Sequence, residues 1–363
     1  MCVGLVVLAH SFDGRIYWFD ARLDELLDPA PRKNRLRLRG VWSGHSSSIT
    51  GLVRTAHGRA LLSSTEAGEH SVWTRQKTRD SVMLMKQSEV HPPEKVQRAI
   101  VMDTGRLVMT LHEGYVILWD TSNSVAIEVD RCHYYLEGKV LSLLLLPEAD
   151  DGISTYHIVA VTSKMRGVAW EVTVKETKSL HGANGVGGPK IRQYALFDLG
   201  ETEEHHMLLA VDPVGWTATL TGSLDRFSRE VATSISPTGL LRSWSARVSP
   251  ATEEVNWLAL WAVETGIKSA SLIRGSSLGK VAIVSSERYD LTIWATRSAQ
   301  LEYQMLFEKC DTVRDLDWAC TPDSQSILAV GFTHKVVLLS QLRYDYLHKG
   351  PSWAPFREVK IQK

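Results

Sequence analysis

The chain has 363 residues, and its 41 lysines and arginines balance 41 aspartates and glutamates, so no whole-chain field recruits nucleic acid or an anionic membrane. Apolar residues make up 44% and charged residues 23%, as in an ordinary globular protein. Apolar stretches such as Val140–Leu146, interrupted only by Ser142, fall far short of the roughly 18–20 residues that span a bilayer.

Met1–His10 is apolar but lacks a basic lead and a small-residue cleavage site, so it reads as a strand rather than a signal peptide. It runs into Gly14–Asp20, the first of a series of short strands that end in tryptophan. The others are His70–Thr74, Gly114–Asp120, Gly167–Glu171, Gly239–Ser245 and Leu291–Ala295, carrying Trp73, Trp119, Trp170, Trp244 and Trp294 after Trp18. A seventh copy, His334–Leu339, has lost the tryptophan. Intervals of 55, 46, 51, 74 and 50 residues lie somewhat above the roughly 40–45 of a WD-type blade and leave room for long loops.

Each unit leads from an apolar strand through a turn to the tryptophan strand, as in Gly138–Pro147, Tyr156–Val161 and Val168–Trp170. Continuous apolar runs suit strands buried on both faces, the situation of a sheet sandwiched between neighbouring sheets. Helical periodicity is nearly absent. The predicted fold is therefore all-β: a WD-type β-propeller of about seven degenerate blades over residues 1–345, followed by an extended carboxy-terminal segment over 346–363. The tryptophan-type strands are expected near 16–20, 70–74, 115–120, 167–172, 240–245, 291–295 and 335–340. The first blade is expected to be incomplete, lacking its innermost strand. An extra hairpin through Asp212-Pro213-Val214-Gly215 is expected in the longest interval. One Gly44-His45 pair precedes the second blade, where the histidine can hydrogen-bond toward the tryptophan strand and pin the blade.

The loops offer several candidate sites, and most have a plainer reading. The alternation of Arg35, Arg37 and Arg39 marks a strand with one basic face, read as a charged edge rather than as an acidic-partner or phospholipid site. His181–Lys190 is glycine-rich but lacks the Gly-Lys-Ser/Thr ending of a phosphate-binding loop. Ser277 sits in Gly-x-Ser-x-Gly, yet a strand, not a helix, is expected after it, and no histidine and acid can be placed beside it. Glu203-Glu204-His205-His206 places adjacent ligand types on opposite strand faces, and His112-Glu113 lacks the second histidine of a helical zinc motif. No catalytic, cofactor-binding or metal-binding residue is assigned, and binding is the default role. Cys2, Cys132, Cys310 and Cys320 lack Cys-x-x-Cys spacing and point to free thiols in a reducing compartment.

Around Asp311 the sequence takes on a particular character. Asp311–Trp318, Ser326–Val336, Gln341–Tyr346 and Gly350–Pro355, with Val211–Trp216, Ser234–Arg247 and Leu291–Tyr303, resemble the propeller region of the large RAVE-complex subunit. That family includes animal DmX-like proteins and rabconnectin, and the resemblance is densest from Val211 to Pro355. It implies a non-catalytic scaffold that helps the peripheral sector of the vacuolar proton-pumping ATPase rejoin its membrane sector. It also implies partners among peripheral-sector and RAVE subunits, and a cytoplasmic protein recruited peripherally to vacuolar or endosomal membranes. Family members are much longer, so the chain would be a partial copy.

The candidate partner surface is Arg343, Tyr344, Asp345, Tyr346 and Trp353, just beyond the seventh blade strand; the alternative is that these aromatics simply pack the segment onto the ring. A different class of reading is a substrate receptor for a cullin-type ubiquitin ligase. Trp294-Ala-Thr-Arg297 keeps the tryptophan and arginine of the relevant blade-end motif and replaces its aspartate with Ala295.

Overall fold

A computed structural model describes residues 4–11, 13–22, 37–55, 59–77, 82–135, 137–145, 155–162, 166–174, 188–198, 208–211, 232–236, 238–248, 255–276, 278–320, 326–345 and 350–360. Seven antiparallel sheets follow one another along the chain. The first has three strands, β1 (Gly4–His10), β2 (Arg15–Arg22) and β3 (Arg37–Ser43). The second contains β4 (Ile49–Arg54), β5 (Ala60–Thr65), β6 (His70–Lys77) and β7 (Val82–Val90). The third contains β8 (Arg98–Met102), β9 (Leu107–Leu111), β10 (Tyr115–Asp120) and β11 (Ile127–His133).

The fourth sheet has β12 (Val140–Leu145), β13 (Thr155–Thr162), β14 (Arg166–Thr173) and β15 (Lys190–Asp198). The fifth has β16 (Leu208–Val211), β17 (Ala232–Ile235), β18 (Leu240–Val248) and β19 (Val255–Glu264). The sixth has β20 (Ala270–Ser276), β21 (Lys280–Ser285), β22 (Asp290–Ala295) and β23 (Gln300–Leu306). The seventh has β24 (Val313–Cys320), β25 (Ser326–Phe332), β26 (Lys335–Asp345) and β27 (Gly350–Lys360).

The seven expected tryptophan-type strands are thus β2, β6, β10, β14, β18, β22 and β26, each third in its sheet except β2, which is second of three. Among the described residues, β1 pairs only with β2, so the first blade lacks the innermost strand that the other six have. Within the expected extended carboxy-terminal segment, residues 350–360 form β27, the outer strand of the seventh blade. An outer edge strand tolerates Pro351 and Pro355 because its free side needs no N–H. The hairpin expected at Asp212–Gly215 lies outside the described residues.

The central strands are buried at consecutive positions, as a sheet covered on both faces requires: β9 and β22 are buried throughout. Polar groups inside are tied locally. In the second blade the Trp73 indole N–H donates to Ser63 Oγ at 2.7 Å, Ser63 meets His45 Nε2 at 2.6 Å, and His45 Nδ1 meets Glu69 Oε2 at 3.2 Å. The anticipated histidine pin is therefore present, and Gly44 makes room for it. A Cβ there would sit 2.5 Å from the Trp73 ring. The indole–hydroxyl step recurs from Trp119 to Thr110 at 2.8 Å, Trp244 to Ser234 at 2.7 Å and Trp294 to Thr292 at 3.1 Å, and in the third blade Thr110 also meets His112 Nε2 at 2.9 Å. Among the described residues, the buried indole nitrogens of Trp18 and Trp170 have no partner.

Side-chain ties join neighbouring blades near the rim. Gln87 of the second donates to the Thr121 carbonyl at 3.0 Å, and Asp130 of the third accepts from the Ile191 N–H of the fourth at 2.9 Å. Trp261 of the fifth donates to the Thr296 carbonyl at 2.8 Å.

Trp294 is 7% exposed and packs against Ile283-side residues of its own blade and Ile235 and Leu241 of the preceding one. Trp294→Ala should lower unfolding free energy by about 3–5 kcal/mol through the cavity it leaves, read from urea melts. A parental midpoint would mean the residue is not core.

His70 carries a second consequence. It is buried, its Nδ1 meets Ser64 Oγ at 2.8 Å, and its Nε2 has no partner among the described residues. Burial, and after it the nearby His112 and His45, lowers its pKa to about 4. Burial also lowers His45 and His112. The unfolded chain, with histidines near 6.5, binds more protons between these values, so stability is complete above about pH 6.5 and falls toward pH 4. His70 alone should remove about 1–1.5 kcal/mol between about pH 7.5 and 5.5. Urea melts should show that loss in the parent and a smaller one in His70→Gln.

Candidate protein-interaction site

The carboxy-terminal candidates fall on the outer half of the seventh blade. Arg343, Tyr344 and Asp345 end β26, at a register irregularity between Leu342 and Asp345, and Asp345 pairs with Gly350 across the hairpin. Their side chains, and all of Tyr346, lie outside the described residues. Trp353 stands apart from them. It is 6% exposed on β27, its ring meets Trp318 edge-on at 5.8 Å, and its indole N–H donates to Glu302 Oε2 at 3.0 Å. These surroundings are those of a packing residue. Trp353 fastens β27 to the sixth blade.

Glu302 makes this fastening unusual. Its side chain is 6% exposed on β23, and its other carboxylate oxygen pairs with Lys280 of β21. A buried carboxylate holds its charge only when its oxygens are occupied, and here an ammonium and an indole N–H do so. Trp318 extends the joint, donating its indole N–H to the Arg274 carbonyl of β20 at 3.0 Å. Glu302→Ala would leave the Lys280 charge buried and unpaired, and should cost about 3–5 kcal/mol in urea melts. Trp353→Phe, which removes the hydrogen bond and part of the ring but keeps the Lys280–Glu302 pair, should cost less.

The other sequence candidates do not assemble a reactive site among the described residues. Glu203–His206, His181–Gly187 and Ser277 itself lie outside them; β20 and β21 flank Ser277, so a strand follows it and not a helix. His112 is buried, hydrogen-bonded to Thr110 at 2.9 Å and stacked on Tyr115 at 4.7 Å. No group of three or more metal-ligating side chains occurs among the described residues. Arg37 and Arg39 fall on β3, the outer strand of the first blade. Ala295 is buried at the end of β22 while Arg297 is exposed, so the arginine of the ligase-type motif lacks its acidic companion. No helix among the described residues is long and apolar enough to cross a membrane.

Sequence reasoning missed the charges on the innermost strands. Arg54 of β4 donates to the Trp318 carbonyl of β24 at 3.5 Å and lies 3.7 Å from Asp317. Arg274 of β20 pairs with Asp315 of β24 at 3.3 Å. The available signal was an arginine or aspartate interrupting an otherwise apolar first strand.

Similarity to known proteins fits this architecture. The crystal structure of Saccharomyces cerevisiae Sqt1 superposes with a TM-score of 0.53 at 15% identity, covering 96% of this chain and 81% of that one. The WD40 domain of SCAP from fission yeast gives 0.51 at 13% identity, covering 81% and 62%. Both establish a WD-repeat propeller fold. The family described as RAVE protein 1 C terminal matches residues 239–363, within the stretch where the resemblance is densest. The regulator of V-ATPase in vacuolar membrane protein 1 of Saccharomyces cerevisiae is 27% identical over 368 residues, 98% of this chain and 26% of that protein. Its counterpart in Schizosaccharomyces pombe is 41% identical over 165 residues, 44% of this chain and 13% of that protein. The chain is thus similar to the RAVE large subunit, over residues 239–363 to its carboxy-terminal family and over nearly its whole length to the Saccharomyces cerevisiae protein. It spans about a quarter or less of the curated relatives it matches.

Proposed function

We propose that this chain is a non-catalytic scaffold that promotes assembly of the peripheral and membrane sectors of the vacuolar proton-pumping ATPase within a RAVE-like complex. The observation that carries the reading is the similarity, along 98% of the chain, to a relative named as a regulator of V-ATPase in the vacuolar membrane. The fold supports it from a second side. A ring of sheets offers rigid faces and edges large enough for a standard protein interface. A role as a peripheral protein at vacuolar or endosomal membranes, held there by its partners, follows from the same reading.

The partner surface in this proposal includes Arg343, Tyr344, Asp345 and Tyr346 at the β26–β27 hairpin. Trp353 acts behind them as the buried anchor that fixes the hairpin against the sixth blade. Arginine and tyrosine on a braced edge are common interface anchors. Affinity purification of the parent chain from lysate should recover peripheral-sector pump subunits, and Arg343→Ala or Tyr346→Ala should reduce recovery by roughly tenfold or more at unchanged melting temperature. Unchanged recovery would move the interface elsewhere. Recovery of cullin adaptors in place of pump subunits would replace the scaffold reading with the ligase one.

A further inference from the structure

The innermost strands line the axis of the ring, and their charges are unevenly placed. β12 (Val-Leu-Ser-Leu-Leu-Leu), β16 (Leu-Leu-Ala-Val) and the first-blade strand β1, apart from His10, carry no ionisable side chain. The other inner strands contribute Arg54, Arg98, Arg274, Arg314, Asp315 and Asp317.

Register sets their heights. Trp73 faces Leu61, which faces Arg54; Trp119 faces Val108, which faces Val101. Trp294 faces Val281, which faces Gly275; Leu339 faces Leu328, which faces Trp318. Arg54, Val101, Gly275 and Trp318 therefore share one level. Arg274 and Asp317 lie one residue before it, and Arg98 and Asp315 three. Arg54, Arg98, Arg274, Asp315 and Asp317 thus lie within about 10 Å along the strands, and all five are exposed to the channel solvent. Arg314 differs, turning to Thr333 of β25.

Three guanidinium groups meet two carboxylates at this neck. Arg54 is opposite Asp317 and Arg274 is opposite Asp315. Arg98 donates only to the backbone carbonyl of Gln97, and no carboxylate among the described residues pairs with it. Loss of surrounding water, and then the charge of Arg274, lowers the Arg98 pKa, as expected of cations gathered across a narrow space.

We propose that this neck is a binding site for an extended, acidic protein segment. A carboxylate of the segment meets Arg98, with Arg274 shared between it and Asp315. An extended segment points every second side chain to the same side, so acidic residues two apart face the arginine-bearing wall. The site is independent of the V-ATPase reading, since it rests on the inner strands alone.

The test uses the full chain and a fluorescent peptide alternating glutamate and valine, followed by anisotropy at low and moderate salt. Saturable, salt-weakened binding is expected, falling roughly tenfold or more in Arg98→Gln at an unchanged melting temperature. Asp315→Asn, which frees Arg274, should bind the peptide as well as the parent or better, and keeps the test meaningful should any arginine variant unfold. Absence of binding, equal binding of a lysine–valine peptide, or indifference to Arg98→Gln would overturn the proposal. Displacement by inorganic phosphate at concentrations equal to the peptide's would also overturn it, in favour of a simple small-anion site.

Discussion

Each sheet in this ring is covered on both faces, and that constraint decides which polar groups the blades can hold. A strand with no solvent side cannot alternate buried and exposed positions, so strands such as β9, β21 and β22 are buried at consecutive positions. The indole that fills the widening space between blades still brings an N–H that burial would leave unpaired. A serine or threonine on the same blade accepts it: Ser63, Thr110, Ser234 and Thr292. Among the described residues the second blade continues that contact to a histidine and an acid, and the third to a histidine alone. The remaining blades stand on packing and on ties to their neighbours.

Those ties explain how the consensus could erode without loss of the fold. The joint of Lys280, Glu302, Trp353 and Trp318 fastens the sixth blade to the seventh through side chains unrelated to the repeat. Leu339 fills the place of the missing tryptophan, buried among Leu291, Ile293 and Trp318. The seventh blade thus exchanges an internal hydrogen bond for an external one.

The tryptophan strands were legible because each is a local pattern, a turn followed by apolar residues and an indole, and even His334–Leu339 kept the pattern without the indole. That β27 belongs to the seventh blade was less legible, since only the pairing of Pro355 with Leu339 at a register shift shows how an edge accommodates its prolines. The charged neck was beyond local reading. Arg98 and Asp315 are more than two hundred residues apart, and only the register of two separate blades brings them to one level. The Gly44-His45 pair lay between these extremes, since its role was foreseeable but its acid, Glu69, comes from a turn of no special appearance.

The ties are also distributed unevenly around the axis. Between the sixth, seventh and second blades the inner strands are clasped by Trp318 to Arg274, Arg274 to Asp315 and Arg54 to Asp317 and the Trp318 carbonyl. Between the third and fourth, a described tie lies at the rim, through Asp130. The arc clasped at the axis is the one where the last sheet of the chain meets the early ones, so these polar contacts close the seam of the ring.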